Sequence, residues 1–219
     1  TKFFFVPIER KGTSFKDFDK YQKKAALKLL RASLSKKGFN KSEKIRQLEK
    51  VLLKTEIPRL VFNGKEIIRD YLDYHFWLFG VPSKDSLWGW KFEGHHVSFN
   101  FTVKNNKILS STPSFLGANP AVVNIEGFKK LQVLKSEMNL GTKLVSSFNI
   151  KQNKIAQFSK NAPIDIITKN NFKAQKISPL GINYNELNSL QKKVFLKLLN
   201  EYIDNYRFGF AEDLRTKVY

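Results

Sequence analysis

The chain has no cysteine and only three histidines and one methionine in 219 residues. Without cysteine there is neither a disulfide nor a thiolate metal site, so the redox compartment leaves no mark on the sequence. No apolar run approaches the ~20 residues that span a bilayer, and a transmembrane helix is excluded on that ground. The opening residues TKFFFVPIERKG lack both the apolar core and the small-residue cleavage site of a secretory signal. Export stays open, because an upstream segment can be removed. Absent too are a Gly-x-Ser-x-Gly elbow, a Walker-type glycine loop, a Gly-x-Gly-x-x-Gly turn and a His-Glu-x-x-His helix.

Acidic residues are also scarce. Asp and Glu number 19 against 39 Lys and Arg, a formal net charge of +20. Such a surplus invites a nucleic-acid partner, yet arginine, the residue best suited to base reading and bidentate phosphate contacts, occurs at only seven positions. Lys16, Lys20, Lys24, Lys28 and Arg31 recur at three- and four-residue spacing and form one basic stripe. The bland reading is a solvated lysine surface; a nucleic-acid binder is the lesser alternative.

What remains is 42% hydrophobic and 14% aromatic, enough for a substantial core. Helical spacing predicts a helix over 14–34 that buries Phe18, Tyr21, Ala25, Leu29 and Ala32 and ends before Gly38. Asn40 with Glu43 reads as a capping pair for a second helix carrying Ile45, Leu48, Val51 and Leu52. DYHFWLFG, residues 73–80, reads as a strand. Asn105 and Asn106 tolerate positive φ and predict a tight hairpin. Helical spacing returns in 127–148 with a break near Gly141, then near 150–159 and again over 185–206, where Leu187, Leu190, Val194, Leu198, Leu199 and Tyr202 share a side. APIDIIT, residues 162–168, reads as a short strand or extended segment. The expectation is one α+β domain over residues 1–219, an antiparallel β-hairpin or sheet with helices before and after it.

The chemistry concentrates in WGWKFEGHHVSFNFT, residues 88–102, which holds two of the three histidines. Read as one unbroken strand, it places Glu93, His95, Val97, Phe99, Phe101 and Val103 on one face. His96 then joins Trp90, Phe92, Ser98, Asn100 and Thr102 on the other, and a bulge at Gly94 is needed to bring both imidazoles to one metal. A regular hairpin register pairs Lys104 with Lys107, Val103 with Ile108 and Phe99 with Thr112. It carries PSFLGAN, residues 113–119, back beside the histidines, where Pro113 cannot continue a ladder. A pocket is expected there.

His95, His96 and Glu93 are accordingly the candidate acid, base or metal-orienting groups, with His95 and His96 as ligands of zinc or iron. Trp88, Trp90, Ser98, Asn100, Ser114, Gly117 and Asn119 are the candidate substrate-binding residues. Two sheet histidines that only hydrogen-bond, and tryptophans that only fill a core, are the bland counterparts. His75 reads as packed.

The joined motifs WGWKFEGHHVSFNFT and TPSFLGANPA, a following helix with LQVLKSE, the early FVPIERKG, FGVP and the late LNSLQKKVFLKLLNEYI resemble the bacterial family known as domain of unknown function 3500. The resemblance covers most of the chain. It implies no established activity, and it implies that this chain is a fragment, since members continue into a part with further aromatics and a His-x-His. By analogy it favours the His-His region as a site. Three functions follow as expectations: a metal-dependent hydrolase or oxidoreductase acting on a small molecule, a non-catalytic module binding a small-molecule ligand with the aromatic hairpin, and a lysine-stripe binder of nucleic acid.

Overall fold

A computed structural model describes residues 3–173 and 177–218. In chain order the elements are β1 (Thr13–Ser14), α1 (Lys20–Ser33), α2 (Lys36–Thr55), β2 (Val61–Phe62), β3 (Lys65–Glu66), β4 (His75–Phe79), β5 (Trp88–Gly94), β6 (Val97–Lys104), β7 (Lys107–Ser110) and β8 (Phe115–Leu116). They are followed by α3 (Lys135–Ser146), α4 (Ile150–Ala156), a 3-10 turn at Tyr184–Glu186, α5 (Ser189–Ile203) and α6 (Phe208–Val218). Helices and an antiparallel sheet make this an α+β protein. No helix among the described residues is long and apolar enough to cross a membrane.

The sheet runs β1-β4-β5-β6-β7, with β8 also pairing β6. The segment expected to be one strand is two. Gly94 pairs with Val97, so His95 and His96 form the two-residue turn of the β5–β6 hairpin. That turn reverses the assignment of faces. Trp90 lies opposite Phe101 and Phe92 opposite Phe99 on one side, while Lys91 lies opposite Asn100 and Glu93 opposite Ser98 on the other.

The aromatic face packs on the helices: Ala26 and Leu30 of α1, with Phe39 and Ile45 of α2, join Phe15, Tyr74, Trp90, Phe92, Val97, Phe99 and Phe101 in one buried cluster. Each fully buried large side chain here stabilises the fold by roughly 1.5–3 kcal/mol. The polar face is covered by the N-terminal strap. The Phe4 amide donates to Glu93 Oε2 at 3.0 Å, and Arg10 Nε meets Glu93 Oε1 at 3.3 Å.

Several boundaries differ from expectation. α1 begins after Asp19, whose carboxylate accepts from the Gln22 amide while the Gln22 side chain returns to the Asp19 amide. Its buried residues are Ala26, Leu30 and Ser33, whereas Tyr21 is exposed. α2 starts at Lys36 with Ser35 as its cap, and Gly38 lies inside it because the Asn205 main chain presses against that position. The Asn105–Asn106 turn has φ of 51° and 57° as expected. Beyond it the β6–β7 register shifts between Thr102 and Val103, so Thr102 pairs with Ser110. Phe99 therefore does not face Thr112; Ser98 pairs with Phe115 and Val97 with Leu116. Residues 162–168 form no strand, Gly141 does not interrupt α3, and α6 closes the described chain.

Candidate active site

The β5–β6 turn is pinned on both sides. The His96 amide donates to Phe5 O at 2.8 Å, and the His96 carbonyl accepts from the Gly117 amide at 2.9 Å. The Tyr74 hydroxyl donates to the His95 carbonyl at 2.6 Å. Its ring occupies the space that a side chain at position 94 would need, so Gly94 is required for close packing rather than for a bulge. Of the two turn residues only His96 has positive φ, at 55°. The imidazoles do not diverge to opposite faces; their ring centroids lie 4.0 Å apart.

His95 meets a carboxylate, but not that of Glu93. Its Nδ1 lies 2.5 Å from Glu49 Oε1 of α2, and both residues are buried. A carboxylate can only accept, so the shared proton belongs to Nδ1. Arg69 Nη1 lies 3.4 Å from the same nitrogen, but that contact would set two donors against each other, and the shorter one decides. Arg69 is instead held by Glu56, at 2.7 Å from Nε and 2.6 Å from Nη2. The hydrogen bond from Arg69 holds the Glu56 carboxyl below its ordinary range. His95 Nε2 bonds to none of the described residues.

His95, Glu49 and Tyr74 line a cleft of about 830 Å³ between the N-terminal strap and the β2–β3 hairpin, walled also by Ile8, Arg10, Asp70 and Asp73. An imidazole fixed through Nδ1 with Nε2 unused can take or deliver a proton. His96 is built differently. Burial above all, with the neighbouring His95 and Arg69 adding to it, pushes its pKa down from 6.5 to about 3. Its Nδ1 is sealed from solvent with no partner among the described residues.

The remaining candidates are dispersed. Glu93 serves the strap, Lys91 and Ser98 rather than His95. Asn100 donates to the Pro113 carbonyl at 2.7 Å and to Ser98 at 3.3 Å, fixing the exit loop. Gly117 spends its amide on His96. Trp88, Trp90 and Asn100 contribute to a separate pocket of about 470 Å³, and Ser114 to a third cavity. Asn119 is exposed. None of these lines the His95 cleft. His75 is packed, its ring nitrogens 3.1 Å from Gly12 O and Asp73 Oδ1. Lys16, Lys20, Lys24, Lys28 and Arg31 are all exposed.

Zinc or iron at His95 and His96 would need further ligands. Among the described residues no three His, Cys, Asp or Glu side chains are grouped to hold an ion. Two imidazoles alone fall short of the three or four protein ligands that a zinc or iron site takes.

Glu49 is the functional candidate that the sequence reading missed. Its signal was present: it shares the apolar stripe of α2 with Ile45 and Leu52, and a carboxylate inside such a stripe demands a buried partner. No curated protein and no solved structure matches the chain. A family model described as Protein of unknown function (DUF3500) matches residues 1–218.

Proposed function

The chain belongs to this family of unknown function, and from that premise we propose that it acts on a small molecule in the His95 cleft by general acid–base chemistry. The observation that carries the reading is the 2.5 Å contact between His95 Nδ1 and Glu49, which leaves Nε2 uncommitted in a residue that lines an 830 Å³ cleft. Glu49 fixes the ring and its tautomer, and favours the imidazolium that forms when Nε2 takes a proton. The cleft lining supplies no serine or cysteine. The reaction suited to it is hydrolysis by an activated water, with His95 as base and then as acid toward the leaving group. Glu49 is a positioning residue.

A panel of chromogenic esters, amides and phosphoesters tests the proposal on the whole chain. One class is turned over, and the rate falls by about 10²-fold or more in His95→Gln and Glu49→Gln. A rate undiminished in folded His95→Gln refutes it.

A second reading, a ligand-binding module, is favoured by the 470 Å³ pocket at the other end of the hairpin, where Trp88, Trp90 and Phe101 meet Asn100. It predicts that a ligand changes tryptophan fluorescence equally in wild type and His95→Gln. Loss of that response in His95→Gln would return the site to the His95 cleft.

A further inference from the structure

Behind β8 lies a cavity of about 460 Å³ that shares no lining residue with the His95 cleft. Phe99, Leu116, Tyr206 and Leu214 make its wall largely apolar. Two of its polar side chains, Asn205 and Ser111, are buried and make no side-chain hydrogen bond to the described residues. Asn205 is only 5% exposed, its Oδ1 is sealed from solvent without a donor, and its amide nitrogen donates to none of the described residues. Only the Asn205 main chain is engaged, accepting from the Ser35 amide at 3.0 Å. Ser111 is 3% exposed, and its hydroxyl bonds to none of the described residues.

Buried polar groups are nearly always paired, so the idle Asn205 Oδ1 in the wall of this cavity indicates a partner that is not protein. The volume falls within the range of about 300–1,000 Å³ typical of small-molecule sites, which are apolar with a few convergent polar groups. Charge is already matched at the rim, where Glu137 is paired with Lys41. A charged ligand would therefore find no counter-ion there.

We propose that this cavity is a second small-molecule site, for a neutral compound with an aromatic or branched aliphatic body carrying a carboxamide-like group. An amide on the ligand both donates and accepts. It can pair with the Asn205 side chain through two antiparallel hydrogen bonds while its body fills the apolar wall. Ser111 offers a further donor and acceptor. Water alone in the cavity is the competing outcome.

The probes are benzamide and toluene, titrated into the whole chain with methyl NMR as the readout. Benzamide shifts the methyls of Leu116, Ile203 and Leu214 and binds about fivefold or more tightly than toluene, the margin of a buried hydrogen bond. Asn205→Leu keeps the main-chain link to Ser35 and brings the two probes within about twofold of each other. Leu214→Trp fills the cavity and abolishes both. No shift at these methyls with millimolar benzamide, or a benzamide preference that survives in folded Asn205→Leu, overturns the proposal and leaves only water in the cavity.

Discussion

Acid should destabilise this protein through His96 in a way that one substitution removes. The folded state holds the His96 ring neutral by burial, with the neighbouring His95 and Arg69 adding to the effect, at a pKa of about 3 against 6.5 when the ring is free. Between those values the unfolded chain takes up a proton that the folded chain refuses, so stability rises with pH across the window. The contribution is complete above about pH 6.5 and is progressively lost as pH falls toward 3. Linkage gives a loss of roughly 2 kcal/mol by pH 5 and roughly 3 kcal/mol by pH 4 from this group alone. Other groups act in the same direction. Asp17, held low by the Ser14 amide, Glu56, held low by Arg69, and Asp73, held low by His75, all lose stability as pH falls through their folded pKa values. His96→Asn isolates the ring, because asparagine accepts the φ of 55° and does not titrate. Urea unfolding of both proteins at fixed ionic strength, from pH 7.5 down to 4, reports the difference. Wild type should lose about 2 kcal/mol relative to the variant between pH 7.5 and 5. A difference that stays flat across that interval refutes the reasoning.

Substitutions at three further positions probe the packing that presents the site. Gly38→Ala should destabilise the fold although alanine favours helix by about 1 kcal/mol, because the added methyl would overlap the Asn205 carbonyl; a lowered urea midpoint with unchanged slope is expected. Gly94→Ala should cost about 1–3 kcal/mol by driving the Tyr74 ring away and breaking its 2.6 Å bond to the His95 carbonyl, which tyrosine near-UV circular dichroism would register. Glu49→Ala, which leaves buried His95 without its partner, should cost roughly 3 kcal/mol in thermal or urea unfolding, and Glu49→Gln roughly 1 kcal/mol.

How much was legible depended on where local chemistry spoke. The Asn105–Asn106 turn declares itself because few residues accept two positive φ angles in succession, and the buried stripe of α2 follows from its spacing. The β5–β6 turn has no such residues, and GHH gives no turn signature. A subtler mark was there. The apolar residues are Trp88, Trp90 and Phe92 before the histidines and Val97, Phe99 and Phe101 after them, and this change of parity is what a two-residue turn produces between strands that share one buried face. Asn63–Gly64, with φ of 49° and 74°, is a strong hairpin signal in its own right, and its hairpin walls the His95 cleft. In α1 the apolar arc from Ala25 to Leu30 is wide enough for two phases, and contact with the sheet selected Ala26 and Leu30. His95 was found because histidine is rare here. Adjacency points to Glu93 as its partner, whereas the contact comes from Glu49, 46 residues away on another element. Only tertiary packing creates that pair.

The proposed chemistry depends on the state of one ring, and long-range proton–nitrogen NMR of the protein with ¹⁵N-histidine reads it directly. His95 should show its proton on Nδ1, strongly deshielded by the carboxylate, with Nε2 unprotonated, and Glu49→Gln should remove the deshielding while the fold persists. A proton on Nε2 of His95, or an Nδ1 signal indifferent to Glu49→Gln, would contradict the dyad and with it the proposed acid–base site.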